Sequence, residues 1–366
     1  MNAQPTKRQR FLAAMRGQPA DELVWAPNFD YWLKVNRGQG TMPEACRDMS
    51  RDNIVRAIGA TIWNRAGGFG FSHDPSIKHT RGPCENGNWF HEITTPLGTI
   101  REEYAATESE HSTPACVKHY VTDRESLRVM TYVVEGSFPT FDPAPAAKAI
   151  EETGDDGIVL HMIACVPFIQ FAKSDAGYMN AYYLMEDFPD EVNRLIAAHH
   201  RNTVEAIKLL AASPADVVSL GDNMDELTMP PNLFERYAIG FYQDCKRALA
   251  GSGKIFEAHW CGRTQHLLPL LPQTGIDVVE AVVTEPMAGI TLAAALDILD
   301  NKVVLQGGIP SILVCPGAVS QRGFEQYIES IILPQKGRPG FILGMSDIVP
   351  PDADFSRVEI IAKLIR

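Results

Sequence analysis

The chain has 366 residues, of which 45% are hydrophobic, and its formal net charge is −12 at pH 7. This length and composition are typical of one large globular domain with insertions, and the acidic charge argues against a nucleic-acid partner because it would repel the phosphate backbone. No apolar run reaches the ~18 residues that cross a bilayer, and no signal peptide precedes the seven scattered cysteines. We therefore expect a cytoplasmic protein with reduced thiols and no membrane partner.

The first elements in chain order are a helix and a short buried strand. A capping-box pattern at Thr6 predicts a helix that ends at Gly17, and the apolar segment 23–27 is predicted to be a strand. Asn28 and Asp30 follow it directly, among aromatic residues, and we interpret them as candidate substrate contacts in a pocket wall. The alternative is that these side chains only form the edge of the core.

An N-terminal insertion with helical and hairpin structure is predicted between the first strands and the rest of the chain, over residues of about 66–150. Within it, an alternating pattern predicts an antiparallel hairpin over 88–104 with its turn at 95–98. Within the insertion, we interpret three of the histidines as surface or hydrogen-bonding residues rather than metal ligands: His73, His79 and His91.

After residue 120 short apolar strands alternate with longer amphipathic helices. The predicted strands are 158–163, 216–220, 254–258, 277–283, 302–306 and 340–344, and the predicted helices are near 177–212, 231–250, 263–273, 290–299 and 319–333. Adding the strands predicted at 23–27 and 59–63 gives eight. Eight strands separated mostly by helices indicate an α/β protein with the (β/α)8 TIM barrel fold, and we expect a single domain over residues 1–366.

Barrels of this kind carry their chemistry on the loops at the carboxyl ends of the strands. Polar residues are concentrated in these positions, which are occupied by Asn28, Asp30, Asp222, Asn223, Asp225, His259, Cys261, Thr284, Glu285, Gly307, Gly308, Met345, Ser346 and Asp347. We therefore expect Asp222, His259 and Asp347 to share one pocket.

The pair His259 and Cys261 ends an apolar strand, and residues two apart lie on the same face of a strand. An imidazole and a thiolate placed in this way can bind zinc, which usually takes three protein ligands at a catalytic site. The alternative is a partly buried histidine beside a reduced core cysteine. The remaining ligands would come from distant parts of the chain.

Several strand-end motifs, taken in order and spacing, resemble those of the uroporphyrinogen decarboxylase superfamily. They are Gly221 to Asp225, His259 to Gly262, Val279 to Ala281, Leu305 to Ser311, Gly344 to Asp347 and Pro350 to Asp354. The resemblance is closer to the superfamily's corrinoid-dependent zinc methyltransferases than to the decarboxylases. It implies the same barrel fold over most of the chain.

The decarboxylases of that superfamily hold a tetrapyrrole's carboxylates with paired arginines in an N-terminal loop, whereas the matching segment 26–34 has no arginine. Porphyrinogen decarboxylation is therefore not expected. In the methyltransferases a His-x-Cys pair and a later cysteine hold zinc, and the place of that cysteine is taken here by Met345, Ser346 and Asp347. The candidates for the further ligand are, in order, Glu280, Cys315 and Asp347.

The resemblance implies an enzyme that moves a methyl group between a small methylated substrate and a corrinoid protein, assisted by zinc. An O- or N-demethylating reaction fits a donor set that contains oxygen. The expected roles are metal binding by His259, Cys261, Glu280 and Cys315, catalysis by Asp222 and Asp225, and substrate binding by Asn28, Asp30, Asn223 and Asp347. The alternatives are a metal-free decarboxylase or lyase on the same barrel and a non-catalytic corrinoid-binding accessory subunit. Substrate, direction of transfer and oligomeric state stay open.

Overall fold

The computed structural model describes residues 4–19, 21–107 and 113–365. Its strands, in chain order, are β1 (Ile62–Arg65), β2 (Phe69–His73), β3 (Lys78–Pro83), β4 (Trp89–Thr95), β5 (Gly98–Tyr104), β6 (Cys116–Lys118), β7 (Ser137–Phe141), β8 (Gly157–Ile163), β9 (Val217–Leu220), β10 (Ile255–His259), β11 (Val278–Val282), β12 (Val304–Ile309) and β13 (Phe341–Met345).

The α-helices are α1 (Lys7–Met15), α2 (Asp30–Gln39), α3 (Arg51–Ala57), α4 (Arg124–Glu135), α5 (Ala144–Thr153), α6 (Pro167–Ile169), α7 (Tyr178–Asp187), α8 (Pro189–Leu210), α9 (Pro231–Phe234), α10 (Gly240–Ala248), α11 (Leu292–Leu299), α12 (Gln321–Ile332) and α13 (Phe355–Ile365). Among the described residues, none of these helices is both long and apolar enough to cross a membrane.

The described residues form two compact units. The first unit consists of the described residues within Met1–Gly67, Pro143–Ile163 and Ser213–Arg366. The second unit consists of those within Gly68–Asp142 and Ala164–Ala212. The single domain expected over residues 1–366, with an insertion over about 66–150, stays a prediction.

The first unit contains a seven-stranded parallel sheet in the order β1-β8-β9-β10-β11-β12-β13. The segment predicted as the first strand forms a parallel bridge to β13 through Trp25 and Leu343. On its other side, the Trp25 carbonyl accepts a hydrogen bond from the Thr61 amide at 2.8 Å, just before β1. The two edges of the sheet are thus joined through this segment, which is how the parallel strands of a barrel close.

The interior of the first unit is filled by branched side chains near the strands' amino ends. Strand residues packed in one core cluster include Val217, Ile255, Val278, Val304 and Ile342, and the α1 residues Phe11, Ala14 and Met15 join them. Large branched residues are the usual filling of such a barrel. Helix α1 therefore packs against the core at this end.

The next layer toward the carboxyl ends is polar instead. Because side chains on one face of a strand recur every second residue, the positions two residues farther along four of these strands share the inner face: Ser219, Glu257, Glu280 and Gln306. All four are buried. This change from apolar to polar along the interior places the unit's chemical groups at the strands' carboxyl ends.

The second unit contains antiparallel sheets. Strands β2 and β7 pair with each other, and β3, β4, β5 and β6 form a four-stranded sheet in that order. The hairpin predicted over 88–104 is confirmed, because β4 and β5 pair with Thr95 opposite Gly98. Helices α4, α7 and α8 belong to the same unit.

Three predicted boundaries are wrong. The helix predicted over 263–273 is only a short 3-10 turn at Leu268–Gln273, because Pro269 and Pro272 lack the amide protons that an α-helix requires. The strand predicted at 59–63 begins only at Ile62, because Gly59 has a left-handed backbone that does not fit a strand. Gly307 and Gly308, expected in a loop, lie inside β12.

Candidate functional site

The candidate site begins with His259, the last residue of β10, which is 8% exposed. Its Nδ1 lies 2.5 Å from Oε2 of Glu280 on the adjacent strand β11, directly opposite in register. Burial alone would lower the pKa of His259, but the Glu280 carboxylate and Cys261 outweigh it and hold the pKa well above its usual range. Glu280 therefore fixes the orientation of the ring and leaves Nε2 facing away from it.

Two further side chains face this imidazole. His259, Cys261 and Asp347 each offer one ligand atom, and these atoms lie within 4.8 Å of one another. The distance from Nε2 of His259 to Oδ1 of Asp347 is 3.6 Å. Burial raises the pKa of Asp347 above its usual value. The positive charge of His259 opposes this rise, and the negative charge of Glu280 adds to it. Within the described residues this is the one cluster with the spacing of a metal site.

Asp347 reaches the cluster through an unusual backbone conformation. Its φ is 88°, in the left-handed region that costs a residue other than glycine about 1–3 kcal/mol. The neighbouring Ser346 is held on both sides, since its amide donates to the Ile309 carbonyl at 2.7 Å and its hydroxyl to the Val282 carbonyl at 3.2 Å. The surrounding strands thus compensate the strain that turns Asp347 toward His259.

The donor set of this cluster fits zinc. Imidazole nitrogen, thiolate sulfur and carboxylate oxygen are its three usual ligand types, and three protein ligands leave the open position of a catalytic site. A histidine whose other ring nitrogen donates to a carboxylate is the common supporting arrangement, which Glu280 provides. The chain's own residues therefore offer a donor set that is compatible with a three-ligand zinc site.

The structure favours Asp347 over the two ligands ranked above it from sequence. Glu280 contacts the Nδ1 side of His259 rather than joining the cluster. The Cys315 thiol contacts Asp352 at 3.5 Å instead, and burial together with Asp352 raises its pKa to about 11, which disfavours the thiolate that a metal needs.

The loop that follows β9 is tied to the loop that carries Cys261. The Asn223 amide donates to the His259 carbonyl at 3.1 Å, and the Gly262 amide donates to the Met224 carbonyl at 3.0 Å. A Cβ on Gly262 would lie 2.4 Å from that carbonyl oxygen, so only glycine fits there. The Asp225 carboxylate accepts from the Arg263 amide at 3.0 Å. These bonds place the Asn223 Oδ1 3.7 Å from the Cys261 sulfur.

Asp222, expected to be catalytic, lies inside the protein with an exposure of 0%. Its Oδ2 accepts a hydrogen bond from the Tyr242 hydroxyl at 2.6 Å, and that hydroxyl accepts from the indole of Trp260 at 3.2 Å. Trp260 stands between His259 and Cys261 in sequence. The observed contacts of Asp222 therefore support the chain segment that carries the two ligands, and a pocket shared by Asp222, His259 and Asp347 stays a prediction.

Asn28 and Asp30 take part in the start of helix α2. The Asn28 side chain accepts from the Asp30 amide at 3.0 Å, and the Asp30 carboxylate pairs with Arg51 at 2.9 Å. Their predicted role in substrate binding stays a prediction.

A family model described as uroporphyrinogen decarboxylase (URO-D) matches residues 168–366, which is more than half of the chain and includes the whole cluster. The chain belongs to the uroporphyrinogen decarboxylase family. The fold agrees, because a methyltransferase from Methanosarcina mazei matches with a TM-score of 0.60 and 13% identity, covering 99% of this chain and 98% of the other.

A second solved structure, a GH18 chitinase from Pseudoalteromonas aurantia, matches 74% of this chain and 88% of its own with 12% identity. Its TM-score of 0.31 is too low to carry an argument. No curated protein sequence matches the chain.

Sequence reasoning missed three residues of this member of the uroporphyrinogen decarboxylase family. Burial, with Glu280 next, raises the pKa of Glu257 to about 8, and one oxygen each of Glu257 and Gln306 is buried with no partner among the described residues. The positive charge of Arg65, at the end of β1, partly opposes the rise in the pKa of both Glu257 and Asp347. The alternation that places His259 and Cys261 on one face of the strand also places Glu257 there, so the sequence pattern was enough to identify Glu257 as a site residue.

Proposed function

We propose that the chain is a zinc-dependent methyltransferase that moves a methyl group between a small methylated substrate and a corrinoid protein. The observation that carries this proposal is the cluster of His259, Cys261 and Asp347 with Glu280 behind the imidazole. The Methanosarcina mazei methyltransferase, which has the same fold, supports it by analogy alone.

Three side chains would hold the metal: His259 through Nε2, Cys261 through its sulfur and Asp347 through a carboxylate oxygen. Zinc bound there would supply a Lewis acid that stabilises negative charge on a substrate heteroatom. Glu280 accepts the Nδ1 proton of His259 and so keeps Nε2 available as a ligand. Asp222 and Asp225 act as positioning residues through Tyr242 and Arg263.

In the demethylating direction the bond between the methyl carbon and the substrate heteroatom breaks. The corrinoid protein, as the methyl acceptor, would supply the electron pair for the new bond, while the substrate heteroatom would keep the pair of the broken bond and take up one proton from solvent. A donor set of nitrogen, sulfur and oxygen suits an oxygen or nitrogen leaving group. Asn223, exposed beside the Cys261 sulfur, is the proposed substrate contact.

The test compares zinc content and methyl transfer in the wild type, Cys261→Ser and the matched control Cys315→Ser. The wild type and the control should each bind about one zinc per chain, whereas Cys261→Ser should lose most of it, because serine does not supply a thiolate. Transfer from a methoxylated or methylamine-type substrate to a reduced corrinoid protein should fall in parallel.

The alternatives give different results. A metal-free lyase would bind no zinc in any preparation and would release carbon dioxide from a carboxylated substrate. An accessory subunit would bind the corrinoid protein but show no transfer. Equal zinc in wild type and Cys261→Ser would contradict the proposed metal site.

A further inference from the structure

The second unit contains a cavity of about 550 Å³ whose lining residues all belong to Gly68–Asp142 and Ala164–Ala212. This volume is within the range of small-molecule sites, which are mostly apolar with a few converging polar groups. The residues of the His259 cluster belong to the other unit, and none of them lines this cavity.

One wall of the cavity is a face of the four-stranded sheet. Register places His91 of β4 opposite Glu102 of β5, and His79 of β3 lies opposite Ile93. Helix α4 contributes the apolar side chains of Met130, Val133 and Val134. The cavity therefore combines an apolar side with a polar, titratable side.

Glu102 is the central polar group of this wall, and it is 9% exposed. It accepts a hydrogen bond from the Tyr104 hydroxyl at 3.1 Å, and its other oxygen lies 3.6 Å from Nδ1 of His91. Burial raises the pKa of Glu102, although hydrogen bonds from Tyr120 and Tyr104 oppose this rise. Burial also lowers the pKa of His91 to about 4, with help from Arg81 and His79. His91 is therefore uncharged at neutral pH and does not neutralise Glu102.

The remaining lining is rich in hydrogen-bond acceptors. Asp175 is buried and accepts from His199 at 2.7 Å and from Gln170 at 3.2 Å. The Ser137 hydroxyl donates to the Val133 carbonyl, so it accepts from Nδ1 of His73 and leaves Nε2 of His73 as an acceptor. Among the described residues that line the cavity there is no lysine or arginine.

We propose that this cavity binds an organic amine as its ammonium cation, with the ammonium group at Glu102 and the apolar body against Met130, Val133 and Val134. A buried carboxylate without a cationic partner is costly, and an ammonium ligand removes that cost. Phe71 and Tyr104 also lie in the lining, and aromatic side chains add attraction for a cation. An anionic ligand would meet two carboxylates, and the described residues of the lining offer it no lysine or arginine.

The test is calorimetric titration of the full chain with three probes of similar shape: 2-phenylethylamine, 2-phenylethanol and 3-phenylpropanoate. The amine should bind about tenfold or more tightly than the alcohol, because a charge-assisted hydrogen bond is stronger than a neutral one. The carboxylate probe should show no binding. Tighter binding of the carboxylate, or equal binding of amine and alcohol, would overturn the proposal.

Glu102→Gln should remove the preference for the amine over the alcohol. The matched control is Glu103→Gln on the same strand, where Glu103 pairs with Arg101 at 3.1 Å and does not line the cavity. A preference that survives in Glu102→Gln, or disappears in the control, would contradict the assignment.

A second variant, Phe71→Ala, keeps the test decisive if Glu102→Gln does not fold. Phe71 is 39% exposed and lies in the cavity lining, so its loss should weaken binding of the amine several-fold, by about 0.5–1 kcal/mol for an exposed cation–π contact, without unfolding the unit. Unchanged affinity in Phe71→Ala would place the amine elsewhere on the protein.

Discussion

Two histidines in the two units each lie near a buried carboxylate, yet their pKa values move in opposite directions. His259 contacts Glu280 directly at 2.5 Å, and its pKa lies well above the usual range because the carboxylate outweighs burial. Nδ1 of His91 instead lies 2.5 Å from the Tyr120 hydroxyl, with Glu102 at 3.6 Å. Burial then dominates and lowers the pKa of His91 to about 4.

The contrast shows that a nearby carboxylate is not enough to charge a buried histidine. Direct contact favours the imidazolium, whereas an interposed neutral phenol leaves burial uncompensated. The first arrangement orients a ring that can bind a metal cation once Nε2 loses its proton, and the second leaves the carboxylate itself to attract a cation. Three experiments test this contrast.

The largest effect is expected from His259→Ala. Removing one ligand should reduce zinc affinity roughly 100- to 1,000-fold, about a quarter of the ~10–16 kcal/mol typical of a structural zinc site. Competition with a chromophoric chelator measures this loss. The control is His266→Ala, because the His266 side chain is 65% exposed and pairs only with Glu226 among the ion pairs of the described residues. Equal affinity in His259→Ala and wild type would exclude His259 as a ligand.

A smaller effect is expected from Glu280→Gln, which keeps the shape but removes the charge behind His259. Zinc affinity should fall about tenfold, because supporting carboxylates of this kind typically contribute 10- to 100-fold. The same chelator competition measures it, with exposed Glu329→Gln on α12 as control. A loss as large as that of His259→Ala would indicate that Glu280 is itself a ligand, as first ranked from sequence.

The smallest effect concerns pH and His91. Its folded pKa of about 4 lies below the unfolded value, so the unfolded chain binds more protons between the two. The contribution to stability is therefore fully present above pH ~6.5 and is lost as pH falls toward ~4. Relative to His91→Phe, the wild type should lose on the order of 1 kcal/mol between pH ~7 and ~4.5, after discounting for solvent screening.

Urea unfolding of the full chain at both pH values measures this difference, and His266→Phe serves as the control for an exposed histidine. If the wild type lost no more stability than His91→Phe, folding would not lower the pKa of His91, and this prediction would be wrong.

The parallel strands and the pair His259 and Cys261 were predictable from sequence because both depend on local patterns. Apolar runs of strand length marked the sheet, and alternation placed His259 and Cys261 on one face. The same local signals missed the short 3-10 turn at Leu268–Gln273, where two prolines interrupt an apolar pattern.

Asp347 was among the ligand candidates named from sequence, but its preference over Glu280 and Cys315 was not predictable, because it depends on backbone geometry that has no local signature. Ala281 has a φ of 69°, and the pairing of β11 with β12 shifts register between Glu280 and Val282. Such a bulge redirects side chains, and Glu280 meets His259 beside it. Asp347 reaches the cluster only through its left-handed backbone. Both conformations are imposed by neighbouring strands that are distant in sequence.

The order in which the chain is made has a consequence for its folding. Strand β8 lies in sequence between the two pieces of the second unit, so synthesis completes that unit at Ala212 while the parallel sheet of the first unit consists only of its N-terminal strands. The edge of β8 that pairs with β9 then has no partner. An open strand edge is a site of aggregation, so a fragment that ends at Ala212 should be poorly soluble. If the whole chain is released before it has folded, we expect it to need protection by a chaperone.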